Sequence, residues 1–218
     1  MNLSVEDILR LSSFLPVLLY LFFVKEDNKA KQVLFFFFLF VSGHSVLYAL
    51  IDYYLPAIYS VLFNSLYIPV EFIIISAFFY KAVPNSLYKK FIKYISALFL
   101  LILSSRLILN FKIDFDSLIN GIESVVVIFF SISFYYEQIK TPEKTFIDRD
   151  PFFWGISALF LFFSVSFFVF LFRESFWSFN KFYYQYIYIH ALSGILRNII
   201  CSIAFLIKPY KEQAVEYS

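Results

Sequence analysis

This sequence has little glycine, cysteine, histidine or charge. It holds four glycines in 218 residues, and no low-complexity stretch or charge run long enough to separate two domains. Its one cysteine, Cys201, permits no internal disulfide and is expected to act as a small packing residue. Two histidines fall short of the three protein ligands that a catalytic zinc normally takes, so no metal or other cofactor is expected. Charged residues make up 16% of the chain, against about 25% in soluble domains. A net charge of +2 leaves no electrostatic footprint for nucleic acid. What fills the chain instead is apolar: 61% of residues are hydrophobic and 24% aromatic, with 33 phenylalanines. That is the composition of a membrane protein.

Seven apolar runs, each near the roughly 20 residues a helix needs to cross a bilayer, cover 8–24, 33–51, 57–79, 91–109, 118–136, 151–172 and 186–207. The expected fold is therefore all-α, a single bundle of seven transmembrane helices with a short cytoplasmic tail over 208–218. Pro56, Pro84, Pro142, Pro151 and Pro209 sit at or between run ends, as boundary residues do. Pro16 and Pro69 lie inside runs and predict kinks, and all four glycines lie inside runs, where they predict close helix approach. The first residues carry Glu6 and Asp7 where a signal peptide carries basic residues, so the first run is expected to stay as a spanning helix.

Lysine and arginine set the orientation. Of 18 such residues, Arg106 and Arg197 lie deep inside runs, and Lys112, Arg173 and Lys181, with Arg10 near the start of the first run, count with the N-terminus and the even-numbered connections. The remaining twelve, from Lys25 to Lys211, count with the odd-numbered connections and the tail, Lys93 standing near the start of the fourth run. This bias predicts an N-terminus outside, a C-terminus in the cytoplasm, and residence in a bacterial inner membrane. An odd helix count demands the same opposition of ends.

The polar residues inside the runs carry the functional argument. On a helix at about 100° per residue, the last run separates into an apolar half and a half holding His190, Ser193, Gly194, Arg197, Asn198 and Cys201. Arg197 lies near mid-run, where a charge costs roughly 2.5–3.5 kcal/mol on insertion scales, so something inside the protein must compensate it. The third run carries Ser60, Asn64, Tyr67 and Glu71 on one stripe, with Glu71 close in depth to Arg197. The fifth run presents Asn120, Ser124 and Ser131, with Glu123 at the margin of that face. His44 lies near mid-depth in the second run. Depth alone pairs Glu71 with Arg197 and Arg106 with Glu123.

Several seven-helix chemistries are excluded by spacing. Retinal proteins need a lysine mid-way along the last helix, and here Lys208 stands at its end. Zinc hydrolases of the ceramidase and adiponectin-receptor type place two histidines one turn apart in that helix, whereas His190 is followed by Gly194. No pair of intramembrane aspartates is present for an aspartyl protease, and no catalytic residue is assigned.

The run Asn64-Ser65-Leu66-Tyr67-Ile68-Pro69-Val70-Glu71-Phe72, the Pro151-Phe152-Phe153-Trp154 start of the sixth run and Asn198 together resemble small, uncharacterised seven-helix bacterial membrane proteins. The resemblance implies topology, and that Glu71 and Asn198 matter. In architecture the chain is also similar to the seven-helix sensory modules of bacterial kinases, but without an extracellular ligand domain or a cytoplasmic effector. The leading expectation is a module that senses a small amphiphilic ligand, lipid or ion through Glu71, Arg197, Asn198, Asn64 and Tyr67, and acts through a membrane or cytoplasmic protein partner. The alternatives are a proton-coupled or small-solute transporter, a membrane-embedded lipid enzyme, and a structural partner subunit.

Overall fold

The computed structural model describes residues 4–25, 28–109, 116–140, 147–172 and 180–207. Among these there are helices and no strands. Helices α1 (Val5–Ser12) and α2 (Phe14–Phe23) are followed by α3 (Lys29–Tyr54), α4 (Ala57–Ala82), α5 (Ser86–Leu109), α6 (Asp116–Lys140), α7 (Pro151–Leu171) and α8 (Asn180–Leu206). Every apolar run is helical. Five helices are long and apolar enough to cross a membrane: α3, α4, α6 over Leu118–Lys140, α7, and α8 over Ile187–Leu206. The described part of α5 carries Lys89, Lys90 and Lys93 and is not among them.

The first run carries the kink expected of Pro16. It forms two helices of 8 and 10 residues that meet at Ser13, itself in a helical conformation. Pro16 supplies the reason: it has no N–H to offer the carbonyl four residues earlier, at Ser12, and its ring crowds that carbonyl. Pro69, by contrast, is carried inside an unbroken α4.

Local chemistry fixes the helix starts. Ser4 and Asp7 form a capping box, with the Asp7 N–H donating to Ser4 Oγ at 3.1 Å and the Ser4 N–H donating to Asp7 Oδ2 at 3.0 Å. Asn28 Oδ1 accepts from the N–H groups of Ala30 and Lys31 at 2.9 and 3.2 Å and so starts α3. Asp150 accepts from the Phe152 N–H at 2.9 Å, with Pro151 in the first turn of α7 where its missing N–H costs nothing.

The helices pack in chain order around a ring that closes on itself, because α8 lies against both α7 and the α1–α2 segment. Inside the ring α3 also meets α7 and α8, and α4 meets α6. Near the start of α3 and the end of α8 the interior is a dry aromatic core that includes Phe38, Phe78, Phe79, Phe134 and Phe205, each nearly or fully buried. A second cluster, Ile68, Phe72, Phe99, Leu103 and Ile119, joins α4, α5 and α6. Leu21, Phe22, Phe36, Leu101 and Leu192 are among the large apolar side chains left exposed on the outside of the ring, as lipid-facing residues are.

One charged contact ties the ring together at its dry end. Lys31 is buried, and its Nζ donates to the carbonyls of Phe205 and Ile207 at 3.1 and 2.7 Å. Those carbonyls end α8 and lack intrahelical donors, so a cation there satisfies them and complements the helix dipole. Lys31→Met is expected to fray the last turn of α8, at a cost of about 1–3 kcal/mol, seen as faster amide exchange over 200–206 than in the wild type.

The glycines divide. A Cβ on Gly155 would stand 2.7 Å from Phe78 Cζ and 3.0 Å from Leu34 Cδ1, and one on Gly194 would stand 2.6 Å from Leu9 Cδ1. These two permit close helix approach. A Cβ on Gly43 or Gly121 would meet nothing within 4 Å, so the expectation of close packing fails there. Gly155→Ala should accordingly cost about 1–3 kcal/mol through overpacking against the buried Phe78 ring. Gly121→Ala should instead stabilise α6 by about 0.5–1 kcal/mol. Thermal unfolding of the two variants side by side checks the contrast.

Candidate functional site

Away from the aromatic core, toward the α1 end of the ring, the interior turns polar. A cavity of about 420 Å³ lies there, lined from α1, α3, α4, α6, α7 and α8. The α4 stripe contributes Asn64, Tyr67 and Glu71; α8 contributes His190, Arg197 and Asn198; α6 contributes Asn120 and Glu123; α3 contributes His44. The structure thus brings these nine polar residues onto one cavity, whereas Ser60, Ser124, Ser131 and Ser193 do not line it. Arg106 has its side chain outside the described residues, and so does its pairing with Glu123.

Arg197 is compensated from three directions. Its Nη1 lies 3.7 Å from Glu71 Oε1, and both side chains are buried. Its Nε donates to Asn198 Oδ1 at 3.2 Å. Its guanidinium lies over the Phe162 ring at 4.4 Å, with Phe37 and Phe38 at 5.5 and 5.9 Å. Glu71 is held in turn by Tyr67, whose hydroxyl donates to the same Oε1 at 2.9 Å. A carboxylate and a guanidinium removed from water need this combination of pairing and hydrogen bonds to be tolerated.

The network then leaves α8. Asn198 Nδ2 donates to Ser12 Oγ at 2.8 Å, and Ser12 Oγ donates to the Leu9 carbonyl at 2.7 Å. Close by, Ser42 Oγ donates to the Ser13 carbonyl at 2.9 Å. Glu71 on α4 is therefore connected through Arg197 and Asn198 to the break between α1 and α2. In the sequence Ser12 and Ser13 are not singled out, and Arg10 counts with the N-terminus. Yet Leu9, Arg10 and Ser13 all line the cavity. The available signal was the spacing of Arg10 and Ser13, which share one face of a helix started by the Ser4–Asp7 box.

Two buried polar atoms have no hydrogen-bond partner among the described residues: His44 Nε2 and Glu123 Oε1. His44 lies flat against Phe63, with ring centroids 4.7 Å apart and planes 2° apart, and 4.3 Å from Tyr67. Its ring is packed, but its outer nitrogen is not satisfied. Glu123 is 3% exposed. A buried carboxylate oxygen without a donor is costly enough to require explanation. His190 is 3.5 Å from Ser166 Oγ through Nδ1 and lies between the rings of Phe162 and Phe170. Among the described residues no three His, Cys, Asp or Glu side chains are grouped to hold a metal ion.

A second cavity, about 390 Å³, shares Leu9, Arg10, Asn64 and His190 with the first and adds Glu6, Ile187 and Ala191. It makes a vestibule around α1. Cys201 is fully buried among apolar neighbours, as a packing residue would be. Comparison with protein-family models, curated proteins and solved structures found no match.

Proposed function

We propose that this chain is a seven-helix integral membrane protein of a bacterial inner membrane, in which the α1–α2 segment counts as the first span. Its N-terminus lies outside and the end of α8 lies at the cytoplasmic face. The excess of lysine and arginine in the odd-numbered connections and tail supports that orientation. So does Lys31, which joins the start of α3 to the end of α8 at one end of the ring. In this reading the protein binds a small ligand in its outer-half cavity and passes occupancy to a membrane or cytoplasmic partner through helix packing.

The observation that carries the reading is Glu123 Oε1, a buried carboxyl oxygen on the cavity with no hydrogen-bond donor among the described residues. In this reading a ligand supplies that donor. The Glu71–Arg197–Asn198–Ser12 network is the bistable element: a ligand that replaces one partner changes how α1 and α2 seat on α8. Native mass spectrometry of gently purified wild type beside Glu123→Gln tests this. An adduct on the wild type that is lost from the variant supports it; bare protein in both samples, equally folded, sinks it.

Transport is the second reading, since Glu71 and Glu123 put two carboxylates on one cavity with a vestibule. The filled aromatic half of the ring stands against a continuous path. A proton flux in liposomes that Glu71→Gln abolishes would reverse the order of the two readings.

A further inference from the structure

The two sides of α6 differ sharply over two turns. Asn120 and Glu123 line the polar cavity. Leu118, Gly121, Ile122 and Val125 line an apolar groove of about 420 Å³ against Phe167 and Phe170 of α7. Leu118 and Val125 are 58% and 49% exposed, so the groove opens on the outer surface of the ring, where lipid chains would lie. It is not a seam awaiting tighter packing, because a Cβ on Gly121 meets nothing within 4 Å. Phe170 lines both spaces and stands between them, its ring centroid 5.6 Å from that of His190.

The polar end has a defined chemical need. Arg197 is engaged by Glu71 and Asn198, and Glu71 by Tyr67 and Arg197. Of the cavity's remaining charged groups, Arg10 also lines the vestibule, and Glu123 is the buried one whose Oε1 has no hydrogen-bond partner among the described residues. A carboxylate in that state is matched by a cation that donates hydrogen bonds, the charge-assisted pairing that contributes most in a dry site. His44 Nε2, unpartnered on the same cavity, offers a further polar atom to such a head group.

Resting on the ligand-binding reading above, we propose that the ligand is a single-chain amphiphile with an ammonium head, bound with its head at Glu123 and its chain past Phe170 in the α6–α7 groove. The Phe170 ring that lines both spaces and the unfilled space at Gly121 fit one apolar chain. A second protein helix does not fit this geometry, because its polar backbone would gain nothing from Glu123. An anionic head meets the wrong charge there.

The test uses the whole protein in phosphatidylcholine nanodiscs, with dodecylammonium, dodecanoate and n-butylammonium as probes and binding read by native mass spectrometry. Dodecylammonium is expected to bind at least about tenfold more tightly than dodecanoate, and Glu123→Gln to remove that preference. Gly121→Leu, which fills the groove without meeting any neighbour at its Cβ, should weaken dodecylammonium by about tenfold and leave n-butylammonium unchanged. If Gly121→Leu leaves dodecylammonium unaffected, or dodecanoate binds equally well, the amphiphile inference is overturned and the groove holds annular lipid only. In that event n-butylammonium binding that still depends on Glu123 would keep the cavity as a ligand site. Loss of Glu123 dependence for both amines would overturn the two readings together.

Discussion

Arg197→Gln is expected to destabilise the protein by about 3–5 kcal/mol, the loss that follows when one member of a buried ion pair is removed and the other is left uncompensated. The structure gives the reasons for placing the effect at the upper end of single substitutions. Glu71 loses the guanidinium 3.7 Å from its Oε1 and retains only the Tyr67 hydroxyl among its described partners. Asn198 loses the donor that fixes its amide, so its bond to Ser12 is no longer oriented from both sides. Phe162, Phe37 and Phe38 lose the cation over their rings. The second mutation identifies the cause. Glu71→Gln in the Arg197→Gln background removes the stranded charge and should recover more than half of the loss, whereas Glu71→Gln alone should destabilise. Chemical denaturation of the four proteins in a mild detergent gives the cycle. A double variant no better than the sum of the singles would show that Glu71 and Arg197 act independently despite their distance.

Glu123→Gln should move in the opposite direction. Its Oε1 is buried without a donor among the described residues, so the native side chain is a cost to the unliganded protein. Glu123→Gln removes the charge but keeps a polar amide in its place, so it is expected to raise stability by about 1 kcal/mol, the low end of the range for an unsatisfied buried polar group. The same change should abolish stabilisation by ligand, because the group that a ligand would satisfy is gone. Melting curves of wild type and variant, each with and without dodecylammonium, read both effects. A residue whose removal stabilises the fold and eliminates the ligand response is retained for binding, since function rather than stability accounts for its presence. If Glu123→Gln proves as destabilising as Arg197→Gln, Glu123 is part of the structural frame and the cavity loses its leading contact.

Much of this could be read from residue spacing, and the exceptions have physical causes. Long apolar runs announce helices because burial in a bilayer leaves no other economical conformation for twenty such residues. Glu71 and Arg197 could be matched by depth because helices that cross the same bilayer share a common ruler. Depth says nothing about azimuth, however, so the share of the cavity wall held by α1, α3 and α7 was invisible. Arg10 and Ser12 were hidden for a related reason. The break at Ser13 divides the first run and lets α1 lie on α8, so a serine and an arginine near the start of the chain face residues of the last helix. Gly43 and Gly121 look the same as Gly155 and Gly194 in sequence; only the neighbouring helix decides whether a missing Cβ is a contact or a gap.

The closed ring also fixes the order in which the molecule can be completed. Asn198 finds Ser12 across 186 residues of chain, and Lys31 finds the end of α8 across 174 and 176. Helices inserted early therefore wait, with Lys31 and Glu71 lacking their α8 partners, until the last one enters. Local pairs such as α3 with α4 can form at once, but the polar half gains its compensation only at closure. Such late, sequence-distant contacts slow assembly and prolong the life of incomplete states. A chain stalled before α8 leaves the Glu71 carboxyl and the Lys31 ammonium without the α8 groups that meet them in the closed ring.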